Sequence, residues 1–532
     1  MAHTTRAPVA EGRGPGPAVA DAGDQGYGRR LRSRHVRMIA IGGAIGTGLF
    51  LGAGGWLAEA GPSLAIAYAV CGLFSVIVVR ALGELVVHRP SSGAFVSYAR
   101  EFMGEKGAYA AGWLYFLSWA VTGMADITAA ATYAHFWSVL TSVPQWVLAL
   151  IALCLVLAAN LVSVRYFGEM EFWFSLVKVG ALVVFMAVGV FLIATGHPVD
   201  GHTPSLATIT GSGGVFPSGT LPMLLVMQGV VFAYAGLELS GIAAGETENA
   251  RTVVPKAINS VIWRIALFYV GSVVLLSLLL PHTAYSAGQS PFVTVFTKLG
   301  VPGAAGMMNL VVLTAALSSL NSGLYATGRI LRSMAVAGSA PRFTARMNRG
   351  RVPYGGILLT AGFGVLGVVM NLVVPGESFA VVIDFASFCI LATWVMIMIC
   401  SLLFWRRSRR GLAVRPAYRL PGAPYTQIVT LLFLLAVLAL VCTGGGIGGR
   451  TALFVPVVAA ALVGGWFLVR RRVAATAAGR AGGERGAGSA ARGRRSQPGP
   501  SPSSPAPTVG RNQGSGPPAY GRKGPPDGAG PP

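Results

Sequence analysis

The chain has 532 residues, 53% of them hydrophobic and only 11% charged, a balance too apolar and too sparsely charged for a soluble protein of this size. Its formal net charge of +23 would suit a nucleic-acid partner if the cations were clustered on a folded surface. They fall instead mostly in the two terminal segments and in alternate short segments between apolar runs, so no nucleic-acid partner is expected.

Residues 1–28 are rich in Gly, Ala, Pro and Arg and hold no apolar stretch long enough for a cleaved signal peptide. They are expected to form a disordered N-terminal tail. Twelve apolar runs follow, at about 38–59, 62–87, 108–139, 145–163, 172–194, 221–245, 258–280, 303–333, 354–373, 379–404, 426–443 and 452–469. Many approach the roughly 20 residues that span a hydrocarbon core. The spacing predicts an all-α polytopic membrane protein with twelve transmembrane helices. Five arginines from Arg29 to Arg37 precede the first run, six from Arg406 to Arg419 separate the tenth and eleventh, and Arg470, Arg471 and Arg472 follow the last. The alternate loops hold only Lys298 and Arg450. That asymmetry predicts a multi-pass protein of the cytoplasmic membrane with both termini cytoplasmic. Residues 473–532, a Gly/Pro/Ser/Arg tract, cannot bury enough apolar surface to order themselves and are expected to form a second disordered cytoplasmic tail. The transporter domain is thus expected over 29–472.

The first run carries an anomaly. "AIGGAIGTGLFLGAG", residues 40–54, has six glycines, each costing about 1 kcal/mol in a helix interior relative to alanine. Gly46, Gly48 and Leu51 miss the dinucleotide fingerprint, and no strand precedes them. Small-xxx-small pairs at Gly42/Gly46 and Gly48/Gly52 leave close helix packing open beside an unwound binding site. The third run contains Asp126, the fifth Lys178 and the tenth Asp384. Charged residues within a membrane are functional by default. A buried lysine can release and regain a proton near neutral pH, and a static ion pair of Lys178 with Asp126 or Glu238 is the alternative.

The sixth run, "VVFAYAGLELSGIAAGETEN" at 230–249, is again interrupted by glycine and holds Glu238 within its apolar stretch. Glu84 and Glu246 lie near the ends of their runs, where pairing with a loop or with solvent suffices. If runs one to five and six to ten are two repeats, runs one and six are their first members. Glycine-interrupted spans at matching places in two halves point to a transporter site at an inverted-repeat interface. Unwinding there exposes backbone groups tolerable only where they line a cavity, and freed N–H and C=O groups suit the carboxylate and ammonium of an amino acid. The reading is a five-plus-five inverted repeat with broken helices one and six, repeat one over about 38–194, repeat two over about 221–404, and two extra spans at 426–469. Cys71, Cys154, Cys389, Cys400 and Cys442 lie in or beside apolar runs without a CxxC pair, and the seven histidines form no HExxH motif. No metal or other cofactor is expected. An embedded enzyme would need a nucleophile–base pair that these runs lack.

The segments "SRHVRMIAIGGAIGTGLFLGAG", "GEMEFWFSLVKV", "GLELSGIAAGETEN" and "VPKAINSVIWRIALFYVGS" resemble the bacterial amino acid transporter family of the amino acid–polyamine–organocation superfamily, over about residues 30–470. "GQSPFVTVFTKLGVP" and "NLVVLTAALSSLNSGLYATGRILRSM" are most similar to its asparagine-carrying permeases. The resemblance implies import of L-asparagine by proton symport, with the proton as coupling ion; another neutral amino acid, or exchange in place of symport, is the alternative. It also implies residue roles. Ile45, Gly46, Thr47 and Gly48 would hold the substrate's α-carboxylate and part of its amine. Phe232, Ala233, Tyr234 and Ala235 would supply carbonyls and gating aromatic faces. Lys178, Glu238 and Glu246 would carry proton coupling. Asp126 stands where relatives have glutamate, its shorter arm leaving direct substrate contact open, and Asn321 and Ser318 would face the pocket.

Overall fold

Among the described residues regular structure is helical throughout, save one antiparallel bridge between Val199 and His202. The computed structural model describes residues 45–91, 94–239, 250–374, 378–443 and 447–495. The N-terminal tail, Gly42, Gly241, Gly245, Glu246 and the segment 496–532 lie outside the described residues. The chain divides into two compact units, 1–477 and 478–532; the described part of the second, 478–495, is helical.

In chain order the α-helices are α1 (Ala53–Ala60), α2 (Leu64–His88), α3 (Ala94–Ala134), α4 (Gln145–Val162), α5 (Val164–Thr195), α6 (Leu206–Gly211), α7 (Thr220–Ala233), α8 (Ala250–Arg264), α9 (Ser272–Leu279), α10 (Pro291–Leu299), α11 (Ala304–Val336), α12 (Tyr354–Val373), α13 (Ser378–Arg409), α14 (Tyr425–Thr443) and α15 (Ile447–Arg495). A π-helical turn, Gly48–Gly52, leads into α1, and another, Ile265–Gly271, joins α8 to α9. Among the described residues nine helical stretches are long and apolar enough to cross a membrane, and Thr220–Ala233 and Tyr425–Leu440 are shorter apolar ones. The protein is an all-α polytopic membrane protein.

Burial shows which helices face lipid. In α3 the most apolar stretch is 89% buried by protein, whereas the corresponding share is 28% for Tyr166–Thr195 and 6% for Ala452–Arg480. α3 is therefore the axis of the bundle, packed by α4, α11, α12 and α13. Helices at the edge carry apolar residues all round because hydrocarbon covers what protein does not; Trp173 and Phe191 on α5 are both exposed.

Ionic contacts fix the ends. Glu84, buried near the end of α2, accepts from Arg415 Nη2 at 2.9 Å and from Leu420 N–H at 2.8 Å, both in the loop between α13 and α14. Beside it Arg80 donates to Asn259 Oδ1 at 2.8 Å and lies 3.6 Å over the Tyr418 ring. Elsewhere, Lys298 in the last turn of α10 bonds Asp200 in the loop between α5 and α6 and holds its carboxyl below the usual range. The five cysteines are free; Cys154 is exposed on α4, while Cys71, Cys389 and Cys400 are buried.

Candidate functional site

The two glycine-rich segments meet. At Gly48 an added Cβ would lie 2.5 Å from Ala233 Cα and 2.9 Å from Ala233 N, so only glycine lets the first segment press its backbone against the end of α7. The chain is irregular at Ile45 and Gly46, then enters the π-helical turn, whose ring is one residue wider than an α-turn. On the facing segment α7 stops at Ala233. Tyr234 N–H and Ala235 N–H bond the carbonyls of Val231 and Phe232 at 3.1 and 3.0 Å, and Gly236 takes φ +92°, a left-handed turn that an L side chain resists.

Between them is a cavity of about 10 Å3 lined by Gly46, Thr47, Gly48, Phe232, Ala233 and Ala235, with Trp119, Thr122 and Ser319 across from them. This is room for about one water, so an amino acid enters only if the segments part. Thr47 Oγ1 donates to Asp126 Oδ1 at 2.9 Å, tying the first segment to α3. Asp126 Oδ2, Trp119 Nε1 and Glu238 Oε2 are buried without hydrogen-bond partners among the described residues. Three polar atoms so placed represent substantial unmet hydrogen bonding.

A second polar cluster lies on α5 and α11. Lys178 Nζ donates to Ser318 Oγ at 2.9 Å and stands 3.9 Å from Glu171 Oε1, with both charged side chains essentially inaccessible to solvent. Ser318 in turn donates to Glu171 at 2.8 Å, Asn321 Nδ2 reaches Glu171 Oε2 at 3.4 Å, and Asn160 Nδ2 donates to Asn321 Oδ1 at 2.7 Å. Among the described residues the carboxylate within ion-pair distance of Lys178 is that of Glu171, rather than Asp126 or Glu238. Asn321 and Ser318 sit in this cluster, and their neighbour Ser319 lines the small cavity.

Other expected residues are placed differently. Tyr234 is fully buried beside the cavity but not in its lining: its hydroxyl donates to the Tyr68 carbonyl at 2.7 Å, and its ring packs 4.7 Å from that of Tyr269. Ile45 is buried at the start of the described chain. Glu238 Oε1 accepts weakly from Gly236 N–H at 3.4 Å, capping its own turn. One helical turn along both interrupted segments, at Gly52 and Gly229, a second cavity of about 700 Å3 opens. Trp56 lies against both glycines, Glu59 and Asp384 line the wall, and Gln228 bonds Asp384. Among the described residues no group of three or more His, Cys, Asp or Glu is arranged to hold a metal ion.

Sequence reasoning passed over Glu171, Ser319, Trp119 and Thr122. Glu171 carried a signal, since it lies seven residues before Lys178 and so two turns along the same helix face. The other three sit in apolar helices and gave none.

A family model described as amino acid permease matches residues 35–476. The chain is 64% identical over 459 residues to the L-asparagine permease of Streptomyces coelicolor, covering 86% of this chain and 94% of that protein. It is 58% identical over 454 residues to the L-asparagine permease of Escherichia coli, covering 85% and 91%. It is 56% identical over 459 residues to L-asparagine permease 1 of Mycobacterium tuberculosis, covering 86% and 94%.

Proposed function

Because the chain belongs to the amino acid permease family, we propose that it imports L-asparagine across the cytoplasmic membrane by proton symport with alternating access. The substrate follows the relatives' names, each an L-asparagine permease at 56% identity or more. The observation that carries the site is the contact of Gly48 with Ala233, two backbones held together beside unpaired polar atoms. In this reading the transporter is a five-plus-five inverted repeat over 29–472 with two extra spans and tails at both ends. The nine long helices and two shorter ones make twelve crossings when Gly48–His88 is taken as two, parted at Gly61, where φ is +63°. Both termini face the cytoplasm, by the placement of the arginines.

The substrate's carboxylate takes the N–H groups freed at Ile45, Gly46, Thr47 and Gly48, and its ammonium takes carbonyls at Phe232, Ala233 and Ala235. Asp126 acts through Thr47, holding the first segment in place, and its free Oδ2 is available to the amine once the segments part. Tyr234 steadies the turn from behind, and Asn321 acts through Glu171. The narrow cavity makes the present arrangement an occluded one, and the 700 Å3 cavity beyond Trp56 is the vestibule through which substrate arrives. Lys178 takes and gives the proton, with Glu238 and Glu246 on the sixth run as the further acidic groups.

Asparagine is a zwitterion with no net charge, so the membrane potential does nothing for it alone. Carried with one proton it moves a charge worth about 2.3 kcal/mol per 100 mV, roughly 50-fold in accumulation. The test of substrate is labelled L-asparagine uptake into proteoliposomes in competition with unlabelled glutamine, aspartate and other neutral amino acids. Asparagine is expected to compete best. Uptake of a different amino acid with none of asparagine leaves the family intact and overturns the substrate.

A further inference from the structure

The geometry points to a binding site for an anionic phospholipid in the groove between α3 and α15. The groove, about 760 Å3, carries Lys106, Arg470 and Arg471 at one end and Tyr109, Trp466 and Val463 along its floor and wall, and among the described residues no acidic side chain lines it. Tyr109 and Trp466 meet edge to face at 5.5 Å, a rigid aromatic floor. Arg470 lies 4.9 Å over Phe467, which leaves its guanidinium edge for an anion. The nearby acids of α3 are committed elsewhere, Glu105 to Arg100 at 3.2 Å and Glu101 to Arg89 at 3.1 Å.

The level in the membrane fits a phospholipid. The apolar stretch of α15 ends at Val469, and three arginines follow at once, so the cations stand where hydrocarbon gives way to headgroups. Only 6% of that stretch is buried by protein, which leaves acyl chains to cover the apolar part of the groove while the phosphate meets the three cations. Charge argues against the two other occupants. A second copy packed by a two-fold axis would set the same patch against itself, three cations facing three. The chain's own segment 473–532 carries eight Lys and Arg against two acidic residues and would be repelled in the same way.

The experiment uses the full-length protein reconstituted in equal parts phosphatidylglycerol and phosphatidylcholine, with retained lipid counted by native mass spectrometry. Wild type is expected to retain phosphatidylglycerol selectively. The triple variant Lys106→Gln, Arg470→Gln, Arg471→Gln is expected to lose about 100-fold of that preference, about fivefold per cation. Equal retention of both lipids by wild type, or an unchanged preference in the variant, overturns the site; a doubled mass independent of lipid does so in favour of a second copy. Should the triple variant fail to fold, brominated lipids supply the reading. Fluorescence assigned to Trp466 by difference from Trp466→Phe is expected to be quenched more by brominated phosphatidylglycerol than by the brominated choline lipid, and equal quenching overturns the proposal.

Discussion

A lysine ammonium inside a helical bundle costs several kcal/mol in lost hydration unless it is countered and hydrogen-bonded. Lys178 donates to Ser318, and Ser318 lies within hydrogen-bond reach of both oxygens of Glu171, so the charge is answered through a hydroxyl that accepts from the ammonium and donates to the carboxylate. Asn321 and Asn160 extend the chain and hold the carboxylate in place. Glu171 is therefore a positioning residue for the proposed proton step. Glu171→Gln keeps an acceptor for Ser318 but removes the countercharge. It is expected to lower gradient-driven accumulation about tenfold and to alter its pH profile, while counterflow persists, in keeping with the roughly 1.5–3 kcal/mol of a hydrogen bond to a charged group. A purely structural role for Glu171 would lower counterflow equally and leave the pH profile as in wild type.

At the scale of elements the site depends on one close approach. A Cβ at Gly48 meets the Ala233 backbone, which cannot swing aside as a side chain would, whereas a Cβ at Gly46 would sit an ordinary 3.7 Å from Ser319 Oγ. Overpacking of this kind costs about 1–3 kcal/mol. Gly48→Ala is expected to reduce uptake by roughly tenfold or more in protein that is still inserted and folded, and Gly362→Ala, on α12 where an added Cβ meets nothing within 4 Å, to leave it near wild type. Equal uptake by the two variants would mean that the contact between segments does not matter. The two glycine-rich segments were legible in the sequence, since clustered glycines weaken a helix just where a bilayer most needs one. Their contact was not, because Gly48 and Ala233 lie far apart along the chain and no local pattern encodes the pairing. The link of Thr47 to Asp126 was hidden for the same reason, although both residues stood out singly. Tyr234 shows the opposite limit: its place beside the break was readable, but the direction of its side chain, toward Tyr68, is set by tertiary packing.

For the whole molecule, the apolar runs made the class of protein readable from the sequence, because a bilayer demands them. The arrangement around α3, and the clamp of Glu84 on the loop after α13, depend on side-chain packing across hundreds of residues. Coupling joins the two scales: one proton is proposed to move with each asparagine, through Lys178. Labelled L-asparagine uptake into proteoliposomes, with and without an inward proton gradient, tests this for wild type and Lys178→Ala, with counterflow measured on the same vesicles. Accumulation above equilibrium is expected only with the gradient, and is expected to be lost in the variant while its counterflow survives. Accumulation indifferent to the gradient in both proteins would contradict coupling through Lys178 and make the protein an exchanger.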